Sequence, residues 1–158
     1  MAHFRQSRNI EASVIDRIKE ILNEVGFTSN VEKTFTQAYE VSLPVIVVRV
    51  GETAHPAAEI STTATRRKVQ VLIDIFASND GQRLDFKDCL IEYLKEGITY
   101  YEYTTGNSKF QQKIKNGLLK VSIDGDNQVF PDIDKSTLEE HDRNRHLVVL
   151  SVSLGQIE

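Results

Sequence analysis

The chain carries one cysteine, Cys89, among its 158 residues. A lone thiol excludes an internal disulfide, so the fold rests on its apolar core, and Cys89 is expected to be a buried free thiol in a reducing, cytoplasm-like compartment. Long apolar runs are also lacking. Val45-Ile46-Val47-Val48 is among the longest, far short of the roughly 20 residues a bilayer-spanning helix needs. Residues 1–8 are polar where a secretion signal would be apolar, so no membrane partner is expected. Nor is there a basic excess: 19 Lys and Arg face 23 Asp and Glu, for a net charge of -4. That balance argues against a domain that holds nucleic acid mainly by neutralising phosphates.

Catalytic motifs are missing as well. No Gly-x-Ser-x-Gly elbow, phosphate-cradling glycine loop or dinucleotide fingerprint occurs, and no cofactor is expected. The four histidines, His3, His55, His141 and His146, never stand four apart, the spacing that sets two imidazoles on one helix face. They are expected at the surface. Asp124-Gly125-Asp126-Asn127 begins like a calcium loop, but the twelfth position is Lys135 where a glutamate is required. A chain-reversing turn is the better expectation. Asp74, Asp80, Asp85 and Asp88 form the densest acidic group, and metal-dependent nucleases do use carboxylates near a strand end. Helix capping accounts for Asp80, however, and the helix dipole for Asp85 and Asp88. Neither a metal nor an enzyme is expected.

What the chain does contain is clear hydrophobic periodicity. From Asn9, Val14, Ile15, Ile18, Ile21, Leu22 and Val25 recur at helical spacing until Gly26. Residues 27–42 hold no sustained period and are expected to be irregular, although Val31, Phe35, Tyr39 and Val41 alternate loosely enough for a short edge strand. Pro44 opens residues 45–50, a β-branched run apolar on both faces, as in a strand inside a covered sheet. Residues 51–65 are small and polar, a long loop or projecting hairpin. In residues 69–77, Val69, Val71, Ile73 and Ile75 alternate with Gln70, Leu72, Asp74 and Phe76, predicting a second strand antiparallel to the first.

Ser78-Asn79-Asp80-Gly81 then forms a turn with a helix cap, and Phe86, Cys89, Leu90, Tyr93 and Leu94 mark a second helix ended by Gly97. Residues 98–104 and 117–123 are strand-like, and residues 130–145 read as a charged linking loop. Residues 146–154 close the chain as a strand with Val148, Leu150, Val152 and Leu154 on its apolar face. With no internal repeat or linker, residues 1–158 are expected to form a single domain. It would have a projecting loop near 51–66 and an irregular insertion near 105–145. The element order predicts an α+β fold, a mostly antiparallel or mixed β-sheet with two main helices packed on one face.

As a whole the chain resembles the tail-terminator proteins of long-tailed bacteriophages, also called tail-completion or neck proteins. The matching features are an N-terminal amphipathic helix after a polar lead, His3-Phe4-Arg5, and the strand Leu43-Pro44-Val45-Ile46-Val47-Val48-Arg49-Val50 with its polar loop. They continue through the strand over 67–76, the helix after Asp80-Gly81-Gln82-Arg83-Leu84-Asp85 and the closing strand over 146–154. Residues 107–145 are longer and more charged than the family layout. Other head–tail joining proteins share much of this architecture.

The resemblance implies a structural virion protein of the tail or neck, assembled in the bacterial cytoplasm as a hexameric ring. Such a ring binds the end of the tail-tube protein, stops its polymerisation and forms the docking surface for the head connector protein, with DNA passing through its lumen only as cargo. Loops of the length seen before the second strand are more often functional or disordered than merely connecting, and unpaired strand edges can add a neighbour's strand. By position, the contacts implied for this chain fall on the segment 52–67, with Glu52, His55, Glu59, Thr62, Thr63, Arg66 and Arg67 as the candidate assembly interface. Arg66-Arg67-Lys68, the chain's one basic cluster, lies beside that loop. The alternatives are a head-closure or head–tail connector protein and, in a different class, a metal-dependent nuclease using Asp74, Asp80 and Asp88.

Overall fold

The computed structural model describes residues 6–54, 67–103, 113–129 and 140–154. Helix α1 (Gln6–Val25) buries Ile10, Val14, Ile18, Ile21 and Leu22 along one stripe, the spacing an amphipathic helix requires. Gly26, at φ 81°, takes the left-handed conformation that costs glycine little. That lets Phe27 N donate to Leu22 O at 2.9 Å, closing the helix as a Schellman cap.

Residues 27–42, expected to be irregular, hold two short elements. Strand β1 (Asn30–Glu32) pairs in parallel with β2 (Val45–Ala54), Asn30 opposite Val45. Helix α2 (Phe35–Glu40) is capped by Thr34, whose hydroxyl accepts from Gln37 N at 3.2 Å. A six-residue helix or a three-residue strand is too short to establish a period. Each is fixed instead by its tertiary partner: β1 by the β2 backbone and α2 by its packing under Phe76.

Strand β3 (Lys68–Phe76) runs antiparallel to β2, as the alternation predicts. Helix α3 (Asp80–Leu94) follows, capped by Asn79, whose Oδ1 accepts from Gln82 N at 2.8 Å, while Gln82 Oε1 reaches back to Ser78 N at 2.7 Å. Asp80, expected to cap, instead sits inside the first turn and accepts from Arg83 Nε at 3.0 Å. The preceding asparagine already satisfies the free amide. Asn79→Ala is therefore expected to cost about 1 kcal/mol in urea unfolding, the usual worth of such a cap.

The chain continues through β4 (Ile98–Tyr103), β5 (Lys113–Gln128), a 3-10 turn (Glu140–Asp142) and β6 (Arg145–Leu154). The six strands lie in the order β1-β2-β3-β6-β5-β4. Among the described residues only β1 and β2 pair in parallel, so the fold is α+β with a mixed sheet. The turn expected at residues 124–127 is absent: these residues belong to β5. A bulge between Ile123 and Gly125 absorbs one residue, and pairing with β6 resumes at Gly125 opposite Val149 and runs on to Gln128 opposite His146. Turn-forming residue types also suit bulges, which is why the two look alike in sequence. β5 thus occupies much of the stretch expected to be an irregular insertion.

The larger apolar cluster joins the buried stripes of α1 and α3 to Ile46, Val48, Val69, Val71, Ile73, Ile75, Val148, Leu150 and Val152. A smaller one sets Ala38 of α2 against Val45, Val47 and Phe76. Val45–Val48 is apolar on both faces because each face meets its own cluster. Cys89, expected to be buried, is half-buried at the rim of the larger cluster, and burial pushes its thiol pKa up. No described helix is long and apolar enough to cross a membrane.

Candidate functional site

The β2–β3 pair extends beyond the core. Pairing shifts register between Val50 and Thr53 and then continues to Thr53 opposite Val69 and Ala54 opposite Lys68. Burial falls from complete at Val45–Val48 to exposed at Gly51 and Glu52. The Gln70 side chain braces this arm: its Oε1 accepts from Glu52 N at 3.3 Å, and a Cβ at position 51 would come within 2.6 Å of the same oxygen. Of the candidate interface residues, Glu52 is exposed on this arm and Arg67 is half-buried just before β3. His55, Glu59, Thr62, Thr63 and Arg66 lie outside the described residues.

The β4 end of the sheet is closed. Tyr101 N donates to Ser13 Oγ at 3.0 Å and Tyr103 N to Asn9 Oδ1 at 3.3 Å, so side chains of α1 take the place of a further strand. Asn9 and Ser13 are buried, and the Tyr103 hydroxyl adds a 2.6 Å bond to Asp16. Burial, then that bond, pushes the Tyr103 pKa up. The sequence signal for this closure is two small polar residues four apart in the apolar stripe of α1. Their i, i+4 spacing puts both on one face.

The acidic group does not assemble. Asp74, fully buried, accepts at Oδ2 from Arg49 (2.9 and 3.2 Å) and at Oδ1 from Arg145 (2.8 and 3.3 Å). The two guanidiniums lie 4.5 and 4.9 Å from the centre of the Phe35 ring, within cation–π range. Asp80 pairs with Arg83 at 2.9 Å, Asp88 with Lys87 at 3.1 Å, and Asp85 is exposed. Among the described residues no three His, Cys, Asp or Glu side chains converge as metal ligands would.

Two histidines expected at the surface have structural partners. His141 Nε2 lies 2.8 Å from Val41 O, and its neighbour Asp142 accepts from the Tyr39 hydroxyl at 2.5 Å. Together they tie the 3-10 turn to α2. Burial and the Asp142 bond push the Tyr39 pKa up to about 12. His146 is buried, with Nδ1 2.6 Å from Arg83 Nη1 and Nε2 2.7 Å from Asp126 Oδ1. Its position in register with buried Val148, Leu150 and Val152 was the available clue. His3 and His55 lie outside the described residues. A shallow hollow of about 620 Å³ beside Phe27, Pro44 and Phe86 has, among the described residues, only Asp85 as an ionisable group on its wall.

Neither the known protein-family models nor the curated protein sequences contain a match to this chain.

Proposed function

We propose that this chain is a structural assembly protein of a long-tailed phage, a tail terminator that caps the tail tube as a hexameric ring and provides the head-docking surface. The observation that carries the reading is the β2–β3 arm. Its strands stay paired past the core to Ala54 and Lys68 while burial is lost, so the described part of the arm is a braced ribbon standing clear of the core. A ribbon of that kind suits contact with a partner more than it suits core formation.

In this reading α1 and α3 cover one face of the sheet, and the protein works by shape. The succession of α1, β2, β3, α3 and β6 along the chain supports it, as does the engagement of Asp74, Asp80 and Asp88 by arginine and lysine.

The test is sedimentation velocity and negative-stain imaging of the full chain, alone and with polymerising tail-tube subunits. Rings seated on tube ends, with tube growth halted at them, are the expected result. Rings that ignore the tube and bind the portal side would move the protein to the head-closure class. Absence of any higher-order species in either mixture would overturn the proposal.

A further inference from the structure

Arg83, His146 and Asp126 join three elements that are far apart in sequence. Arg83 comes from the first turn of α3, His146 from the start of β6 and Asp126 from β5 beyond its bulge. Arg83 and His146 are both buried. An arginine side chain has donors and no acceptor. The 2.6 Å contact between Arg83 Nη1 and His146 Nδ1 is therefore an N–H donated to a ring lone pair. This leaves the ring proton on Nε2, donating to Asp126 Oδ1 at 2.7 Å.

Among the described residues, further charged groups contact Arg83 and Asp126. From α3, Asp80 accepts from Arg83 at 3.0 Å, and Lys87 stands 3.6 Å from Asp126 and 3.1 Å from Asp88. From β3 the residue opposite His146 is Ile75, and from β5 it is Gln128. Neither carries charge. On β6 itself, Arg145 is engaged by Asp74.

A second proton on this imidazole has only Nδ1 to occupy. There it meets a guanidinium N–H head-on, donor against donor and cation against cation. The bond to Asp126 is unaffected by that proton and gains charge assistance, so the ring stays and Arg83 leaves. We propose that Arg83, His146 and Asp126 form a proton-operated latch that pins the N-terminal end of α3 to β5 and β6 and opens when His146 becomes doubly protonated.

Asp126 does not confuse the reading. The His146 bond, followed by the Lys87 charge, outweighs desolvation and holds its carboxyl below the usual carboxylate range. A group with a depressed folded pKa contributes stability above its unfolded value and loses it as pH falls through the folded one. That window lies below the range in which imidazoles ordinarily titrate.

The experiment uses the full chain labelled with ¹⁵N. Long-range ¹H–¹⁵N spectra at about pH 7.5 should show the His146 proton on Nε2. Protection factors for the amides of residues 84–88, corrected for intrinsic exchange, should fall about tenfold between about pH 7.5 and about pH 5.5. His146→Gln supplies an amide that accepts from Arg83 and donates to Asp126 but takes up no proton, so its protection should hold across that range. Arg83→Met keeps the imidazole but removes the latch, so protection should start low and change little. A ring proton on Nδ1 at the higher pH would overturn the proposal. So would an equal acid response in the wild type and either variant.

Discussion

Asp74→Ala is expected to lower the unfolding free energy by about 3 kcal/mol, the lower end of the cost of breaking a buried ion pair. The carboxylate is fully buried, and it bridges the charges of Arg49 and Arg145, which approach it from neighbouring strands. Without it, two guanidiniums face each other over the Phe35 ring. Their side chains remain 35% and 23% exposed, so water recovers part of the loss, which is why the lower figure applies. Asp74→Asn keeps acceptor and shape and is expected to cost less than alanine. Urea unfolding measures both, and an alanine variant within about 0.5 kcal/mol of wild type, the range of ordinary surface substitutions, would show that the triad is not a structural centre.

The second large effect is expected on assembly with almost none on folding. Ala54 and Lys68 stand directly opposite each other at the end of the β2–β3 arm. Replacing residues 55–67 by Asn-Gly would thus join them through a two-residue hairpin turn whose twist matches the strands. None of the described residues of either buried cluster is removed. The melting temperature should hold within a few degrees, the shift that about 1 kcal/mol produces in a domain of this size. Ring formation and tube binding should be abolished in co-sedimentation. Undiminished tube binding would place the contact surface elsewhere on the molecule.

Both expectations draw on features that differ in how far the sequence announces them. The ribbon is foreshadowed by the change from Val45–Val50 to small polar residues, because loss of alternation accompanies loss of burial. Likewise α1, β3, α3 and β6 follow from periods sustained over two turns or several strand residues. The Asp74 triad does not follow, since its arginines lie 25 and 71 positions away and only strand order brings them together. His146 was accessible by parity within β6, yet its partners on α3 and β5 were not. The bulge in β5 was hidden because Asp-Gly-Asp-Asn suits a reversal as well as an extra residue in a continuing strand. β1 and α2 take their definition from neighbours and leave no period of their own.

The closure of β4 by Asn9 and Ser13 has a consequence for how copies of this chain can combine. Growth of a sheet from molecule to molecule needs two open ends per copy, one to receive a strand and one to offer the next. With the β4 end sealed by α1, the described sheet of one copy has the β1 end left to share. Two copies could meet through β1, but a third would find nothing to add to. Among the described residues the sheet therefore offers no second end for continued strand pairing, and a larger assembly of these elements would draw on side chains and the β2–β3 arm. Asn9 and Ser13 thus act as a stop against strand addition at the β4 end of the sheet.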